Sequence, residues 1–337
     1  MSIPSQLNVE LFRDGNLESN HIVNFYNSKS NSNDYFFPRS SVKPFQIIPL
    51  LYTLSIQNEI NLTDEEIALF ASSHSGEKLH TDLLLITSEK YNLNLEYLIC
   101  GAQRPFHDKT ADSILNDNND FLNIHNNCSG KHLSMLLFSK VLNVDFQNYY
   151  NLNHKSQASI NEFFYEVFQT KDISYGIDGC GLPAIRLKTS DFIGSINFIK
   201  NSKYSEFWNR VFNAYVRFPE IIGGTNRPDS NLIKNSNSPL LAKSGAEGVM
   251  FVTNNNDSFL FKCLDGSKRG VDLASSHYLK SIGLVNNSPF ESQVELYSRN
   301  RQNNKAVEIK ITKKNSLEIR DFNSSLLNGI ARDMYSL

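Results

Sequence analysis

Apolar and polar positions change period several times along the chain, and each change predicts an element. Residues 9–32 read as opening strands and turns, with Arg13-Asp14-Gly15-Asn16 as a turn signal. Residues 42–60 carry apolar side chains at helical spacing. Thr63-Asp64-Glu65-Glu66 predicts a capped helix start, with Thr63 as N-cap and Glu66 at the third helical position. The apolar run 67–71 follows, and the polar stretch 72–76 breaks it. Further helices are predicted over 79–91, 95–98, 131–142 and 156–169, and a strand over 183–187. A helix over 205–216 places Phe207, Val211, Phe212 and Tyr215 on one face. Residues 248–252 and 258–262 read as strands joined by the polar turn 253–257. A helix over 269–282 and a late strand over 307–311 complete the pattern. It predicts an α/β chain whose sheet draws strands from both ends and is flanked by helices. A helical subregion over about residues 45–170 belongs to the same unit, 1–337, and does not stand alone.

Composition narrows the class. The 337 residues include 33 Lys and Arg against 35 Asp and Glu, a net charge of -2, so no basic excess points to nucleic acid. Residues 1–13 lack a basic stretch followed by an apolar run, and no long uncharged apolar segment occurs. The expectation is a cytoplasmic protein with no membrane association. Cys100, Cys128, Cys180 and Cys263 are scattered without a CxxC pair, so free thiols are expected rather than disulfides.

The most informative chemistry starts at Arg39-Ser40-Ser41-Val42-Lys43. If Ser40 opens a helix, Lys43 lies on its face and reaches the hydroxyl. An amine acts as a general base when burial or a neighbouring cation lowers its pKa. Arg39 or a second lysine would supply that cation. An S-x-x-K spacing is common and also fits an ordinary exposed turn, but the apolar run 45–50 after Pro44 predicts burial. Downstream, Lys243-Ser244-Gly245 precedes the strand predicted over 248–252. It is a conservative version of the K-T-G that serine acyl-enzymes combine with S-x-x-K. Gly245 would let a substrate lie against the backbone, and Lys243 adds a positive charge for a carboxylate. Ser159-Ile160-Asn161 and Ser195-Ile196-Asn197 match an S-x-N box by letter only. In Ser72-Ser73-His74-Ser75-Gly76-Glu77, the serines, His74 and Glu77 suit a polar substrate; a helix cap at Gly76 accounts for the segment equally well.

Two further loops carry thiols: Asn127-Cys128-Ser129-Gly130-Lys131-His132 and Asp178-Gly179-Cys180-Gly181. A thiolate pair holds zinc when a third ligand is near, here His125, Lys131 or His132. Two lone cysteines also fit as small buried hydrophobes.

Taken in order, the blocks 39–46, 73–77, 128–132, 176–181 and 243–248 resemble the L-asparaginase II family. The resemblance implies a β-lactamase/glutaminase-like fold with a mixed sheet, and an amidohydrolase that converts L-asparagine to L-aspartate and ammonia through a serine-lysine acyl-enzyme. It implies two tandems, Ser40 with Lys43 and Ser73 with Lys243. It implies zinc on Cys128, Lys131 and Cys180, Asp178 holding the substrate amino group, and a cytoplasmic homodimer. Arg39, His74, Glu77 and Gly245 are the remaining candidate substrate-binding residues. Residues 218–229 match a further family block, with Phe218 where a histidine is usual; Ala102-Gln103-Arg104-Pro105 also departs, since a histidine is commoner there. Both departures bear on specificity rather than reaction class. The rival readings are a glutaminase or lactam hydrolase on the same scaffold, and a small-molecule binding protein that has lost turnover.

Overall fold

A computed structural model describes residues 5–58 and 60–314. Strands β1 (Ser5–Arg13) and β2 (Asn16–Asn27) form a hairpin around Asp14 and Gly15, both at positive φ, which is the turn geometry that Asp-Gly favours. A short β3 (Tyr35–Phe36) follows. The stretch expected as one helix over 42–60 is broken into pieces. A 3-10 turn at Arg39–Val42 leads into α1 (Lys43–Gln46) and α2 (Ile48–Gln57), which ends on left-handed Asn58; Glu59 lies outside the described residues. Pro44 and Pro49 cause the break, because proline fits a helix only in its first turn.

Then come α3 (Asp64–Phe70), α4 (Lys78–Lys90), α5 (Asp108–Asn116), α6 (Ser129–Val141) and α7 (Lys155–Val167), with no strand among them. The Thr63 cap forms as expected: the Thr63 N–H donates to Glu66 Oε2 at 2.8 Å, and the Glu66 N–H donates to Thr63 Oγ1. The chain continues through β4 (Ser174–Ile177), β5 (Pro183–Lys188), α8 (Thr189–Lys200), α9 (Ser205–Arg217), α10 (Pro219–Ile222) and α11 (Pro228–Lys234). It ends with β6 (Leu241–Gly245), β7 (Val249–Thr253), β8 (Ser258–Cys263), α12 (Lys268–Ser281), α13 (Ser288–Ser298) and β9 (Glu308–Lys314).

The main sheet has the order β6-β7-β8-β2-β1-β9, and every neighbouring pair is antiparallel. It therefore unites the first strands with the last, as the pattern predicts, in an α/β architecture flanked by helices. A smaller sheet has the order β3-β5-β4. Helix α12 packs across β1, β2, β7 and β8, while the Arg39–Val42 turn packs on β6 and β7. Lys243-Ser244-Gly245 is itself a strand, β6, and turns into β7 through Glu247 and Gly248, both at positive φ.

An aromatic cluster sets the position of the chemistry. Phe45, one turn into α1, is fully buried. Its ring stacks on Trp208 at 5.2 Å and also meets Phe168, Phe192 and Phe251. Burying such a ring is worth about 1.5–3 kcal/mol. Because α1 is anchored there, Lys43 and the turn before it are held between the sheet and the helices. Among the described residues, no helix is long and apolar enough to cross a membrane.

Candidate active site

A cleft of about 300 Å³ lies where the Arg39–Val42 turn, the loop after α3, the β6–β7 hairpin and α12 meet. Ser40, Ser73, Asn127, Arg227, Ser244 and Asp272 are among the residues that line it. A larger recess of about 810 Å³ lies beside Arg39, but it contains neither serine, so the smaller cleft is the chemically equipped one.

Lys43 reaches this cleft from below. Its amine hydrogen-bonds Ser73 Oγ at 2.9 Å, donates to the Ser72 carbonyl, and lies 3.4 Å from Cys128 Sγ. Burial pushes the amine below the ordinary lysine value, and the Lys131 ammonium adds to that push against the pull of the Cys128 and Cys180 sulfurs. The pairing therefore differs from Ser40 with Lys43. Lys43 is 1% exposed and runs inward to Ser73, whereas the Ser40 hydroxyl faces the cleft without a hydrogen bond to any described residue.

Lys243 is also buried and sits on an anion rather than on Ser73. Its amine is 3.3 Å from Asp229 Oδ2 and donates to the Ser244 carbonyl at 2.8 Å. The Ser244 hydroxyl donates to the same Asp229 oxygen at 2.7 Å. Both charged groups are 0% exposed. Burial pushes Lys243 down to about 8 even with this partner. Burial would raise Asp229, but Lys243, Arg227 and the Ser244 donors outweigh it and hold the carboxyl at about 2.

Gly245 lines the cleft, and its lack of a side chain has a packing cause. A Cβ there would stand 2.5 Å from the Pro38 carbonyl oxygen. His74 and Glu77 are not among the cleft-lining residues. Fully buried His74 bonds Ser129 Oγ through Nε2 and accepts the Gly76 N–H on Nδ1, and burial keeps it neutral. Glu77 accepts the N–H and hydroxyl of Thr225, each at 2.7 Å. These bonds tie the loop after α3 to residues 223–227. Gly224, at φ +110°, makes that approach possible, since a Cβ would stand 2.2 Å from Glu77 Oε1.

Next to the cleft, Cys128 at the start of α6 and Cys180 in the β4–β5 loop are both buried. The neighbouring Cys180 side chain, with Lys43 and Lys131, pulls the Cys128 thiol well below its usual range against burial. Burial pushes Lys131 down, but the two sulfurs and Asp178 outweigh it and hold the ammonium above its usual value. Two converging sulfurs and a buried amine are a donor set that suits zinc. Among the described residues, neither His125 nor His132 brings a ring nitrogen into one cluster with the two sulfurs; His132 Nδ1 bonds the Tyr149 hydroxyl while its Nε2 is buried without a partner, and His125 Nδ1 accepts the Leu122 N–H. A second thiol cluster, His21 with Cys263 and Asp265, is satisfied internally. His21 Nδ1 bonds Asp265, and Arg269 donates to His21 Nε2, which fixes the tautomer against ligation through Nδ1.

Asp178 stands between these groups. One oxygen accepts two bonds from Arg39, at 2.7 and 3.0 Å, and the other lies 3.8 Å from Lys131 Nζ. Arg39 adopts a left-handed backbone, φ +52°, directly before Ser40. Non-glycine residues hold such a conformation only where surroundings enforce it, and the two hydrogen bonds to Asp178 help to hold it.

Arg227 and Asp229 are among the site residues that received no role from the sequence. Both lie in the 218–229 block. Their position around Pro228, the first residue of α11, signals a helix start but gives no hint of the partner on β6.

Residues 9–312 match the family described as L-asparaginase II. No curated protein matches the chain.

Proposed function

Because the chain belongs to the L-asparaginase II family, an asparaginase-type amidohydrolase acting on a small molecule, we propose that it hydrolyses the side-chain amide of L-asparagine with a serine-lysine mechanism. The observation that carries this reading is the buried Lys43 amine on Ser73 Oγ, in a cleft that also exposes the free Ser40 hydroxyl. In the proposed sequence, Ser40 attacks the carboxamide carbon while Ser73 passes its proton to Lys43. The proton returns to the leaving nitrogen as ammonia departs, leaving an acyl ester on Ser40. Water, activated by the same path, then releases aspartate. A second reading has Ser73 attack directly, and the 2.9 Å contact favours it.

Cys128, Lys131 and Cys180 would hold zinc. When bound, the ion supplies a fixed positive centre that orients substrate beside Asp178, since two thiolates and an amine damp its Lewis acidity. Loading would release the protons of Lys131 and Cys180. Metal analysis of protein purified with zinc is expected to find one ion per chain, and Cys180→Ser is expected to lose it and to melt lower. A wild-type protein that takes up no more zinc than Cys180→Ser would end this assignment.

Ammonia release by the purified protein tests the activity itself. L-Asparagine is expected to be turned over faster than L-glutamine, in keeping with the small cleft. A higher kcat/KM for L-glutamine would make the protein a glutaminase, and binding of either amino acid without ammonia release would make it a binding protein.

A further inference from the structure

The cations around the cleft differ in one respect. Arg39 is held by Asp178, Lys243 by Asp229, Lys268 by Asp272, and Lys131 by the thiols and Asp178. Arg227 also lines the cleft, yet its guanidinium makes no hydrogen bond or ion pair with a described residue. Its Nε is buried and unsatisfied. The nearby carboxylates feel its charge but do not bond it: Asp229 takes Lys243 and Ser244, and Asp272 takes Lys268 and the Tyr297 hydroxyl.

The side chain is nevertheless placed. Its guanidinium lies 4.9 Å over the Phe106 ring, an arrangement that holds the planar group while leaving its edge donors free. The backbone is fixed too: Arg227 precedes Pro228 at the start of α11, and Thr225 is bonded to Glu77. A positioned guanidinium with unused donors suits an oxyanion taken by two parallel N–H bonds, and on an amino-acid substrate that group is the carboxylate.

We infer that Arg227 binds the α-carboxylate of the amino-acid substrate and so determines that the enzyme acts on free amino acids rather than on amides with a blocked α-carboxyl group. This rests on the hydrolase reading above and adds the residue that selects the substrate. Stacked on exposed Phe106, the Arg227 guanidinium makes no hydrogen bond to Lys43 or Ser73, so its removal is expected to affect binding of the carboxylate and to leave the Lys43–Ser73 contact in place.

The test compares L-asparagine with L-asparagine methyl ester, which keeps the side-chain amide and lacks the carboxylate charge. The wild-type protein is expected to favour L-asparagine by about 10- to 100-fold in kcat/KM, the size of a charge-assisted bidentate contact. Arg227→Met is expected to lose about that factor on L-asparagine, through KM, and to act on the ester as the wild type does. Arg227→Lys is expected to fall between them, and it carries the test should the methionine variant fail to fold. Equal losses on both substrates, or a wild type that does not distinguish them, would overturn the assignment. A wild type that releases no ammonia from L-asparagine overturns the hydrolase reading instead, and this assignment with it.

Discussion

Replacing Lys43 with methionine is expected to lower kcat for ammonia release by about 10²- to 10⁴-fold, the range that a positioned general base supplies. Methionine fills the same buried volume without a charge, so the effect falls on proton transfer rather than on packing. The Ser72 carbonyl loses a donor, which costs about 1–3 kcal/mol of stability. A thermal melt beside the kinetics separates the two effects. The serines give the same experiment its finer arm. If Ser40 attacks, Ser40→Ala forms no covalent acyl adduct by mass spectrometry, while Ser73→Ala forms one slowly. The reverse result would give the attack to Ser73. A Lys43→Met protein that retains near wild-type turnover would sink the serine-lysine mechanism altogether.

Asp229→Asn is expected to destabilise the protein by about 3–5 kcal/mol near neutral pH, because it leaves the Lys243 charge buried and unpaired. The pH dependence has a definite sign. Lys243 sits at about 8 in the folded chain against 10.5 for an ordinary lysine, so the unfolded chain binds more protons between those values. Stability contributed by this group is therefore lowest below about 8 and rises toward 10.5. Asp229 works at the other end: its contribution is present above 3.8 and is lost as pH falls through about 2. The urea midpoint of the wild type is expected to rise relative to that of Lys243→Met across the alkaline window. The asparagine variant is expected to recover part of its deficit as pH rises through about 8, since a neutral amine needs no counter-charge. A deficit that stays constant from neutral to alkaline pH would mean that charge burial is not its cause.

Local rules made much of this fold readable. Thr63 and Glu66 form the reciprocal cap their spacing promises, and Phe207, Val211, Phe212 and Tyr215 are buried together on α9. The Asp14-Gly15 hairpin and the late strand both lie where the pattern puts them. Helices α5, α8, α11 and α13 and strands β4 and β6 were not anticipated, because their stability comes from neighbours distant in sequence. Strand β6, for example, gains its partner only after the chain reverses at Glu247 and Gly248.

The site shows the same division. Its reactive residue types were legible as blocks, but who touches whom was not. Spacing suggested that Lys43 serves Ser40; the fold turns its amine to Ser73, which arrives from the loop after α3. Lys243 was read as a partner for Ser73, and the group beside it is Asp229 from α11. Arg227 carried no visible role because its significance lies in lacking a partner, a property that only a folded neighbourhood defines.

Strand β1 lies between β2 and β9, and its pairing with Glu308–Lys314 has a consequence for how the molecule is made. During synthesis the β1–β2 hairpin emerges early, while the strand that covers its outer edge emerges after nearly every other element. Until then β1 presents unpaired N–H and C=O groups to any passing strand, the situation that favours association between nascent chains. Packing among α3, α4, α6 and α7 joins elements closer in sequence and can form during that wait, whereas the sheet must close a very long loop. Once β9 is in place, Lys310 and Lys313 put charge on the strand that is outermost among the described residues, a margin that a second sheet joins poorly.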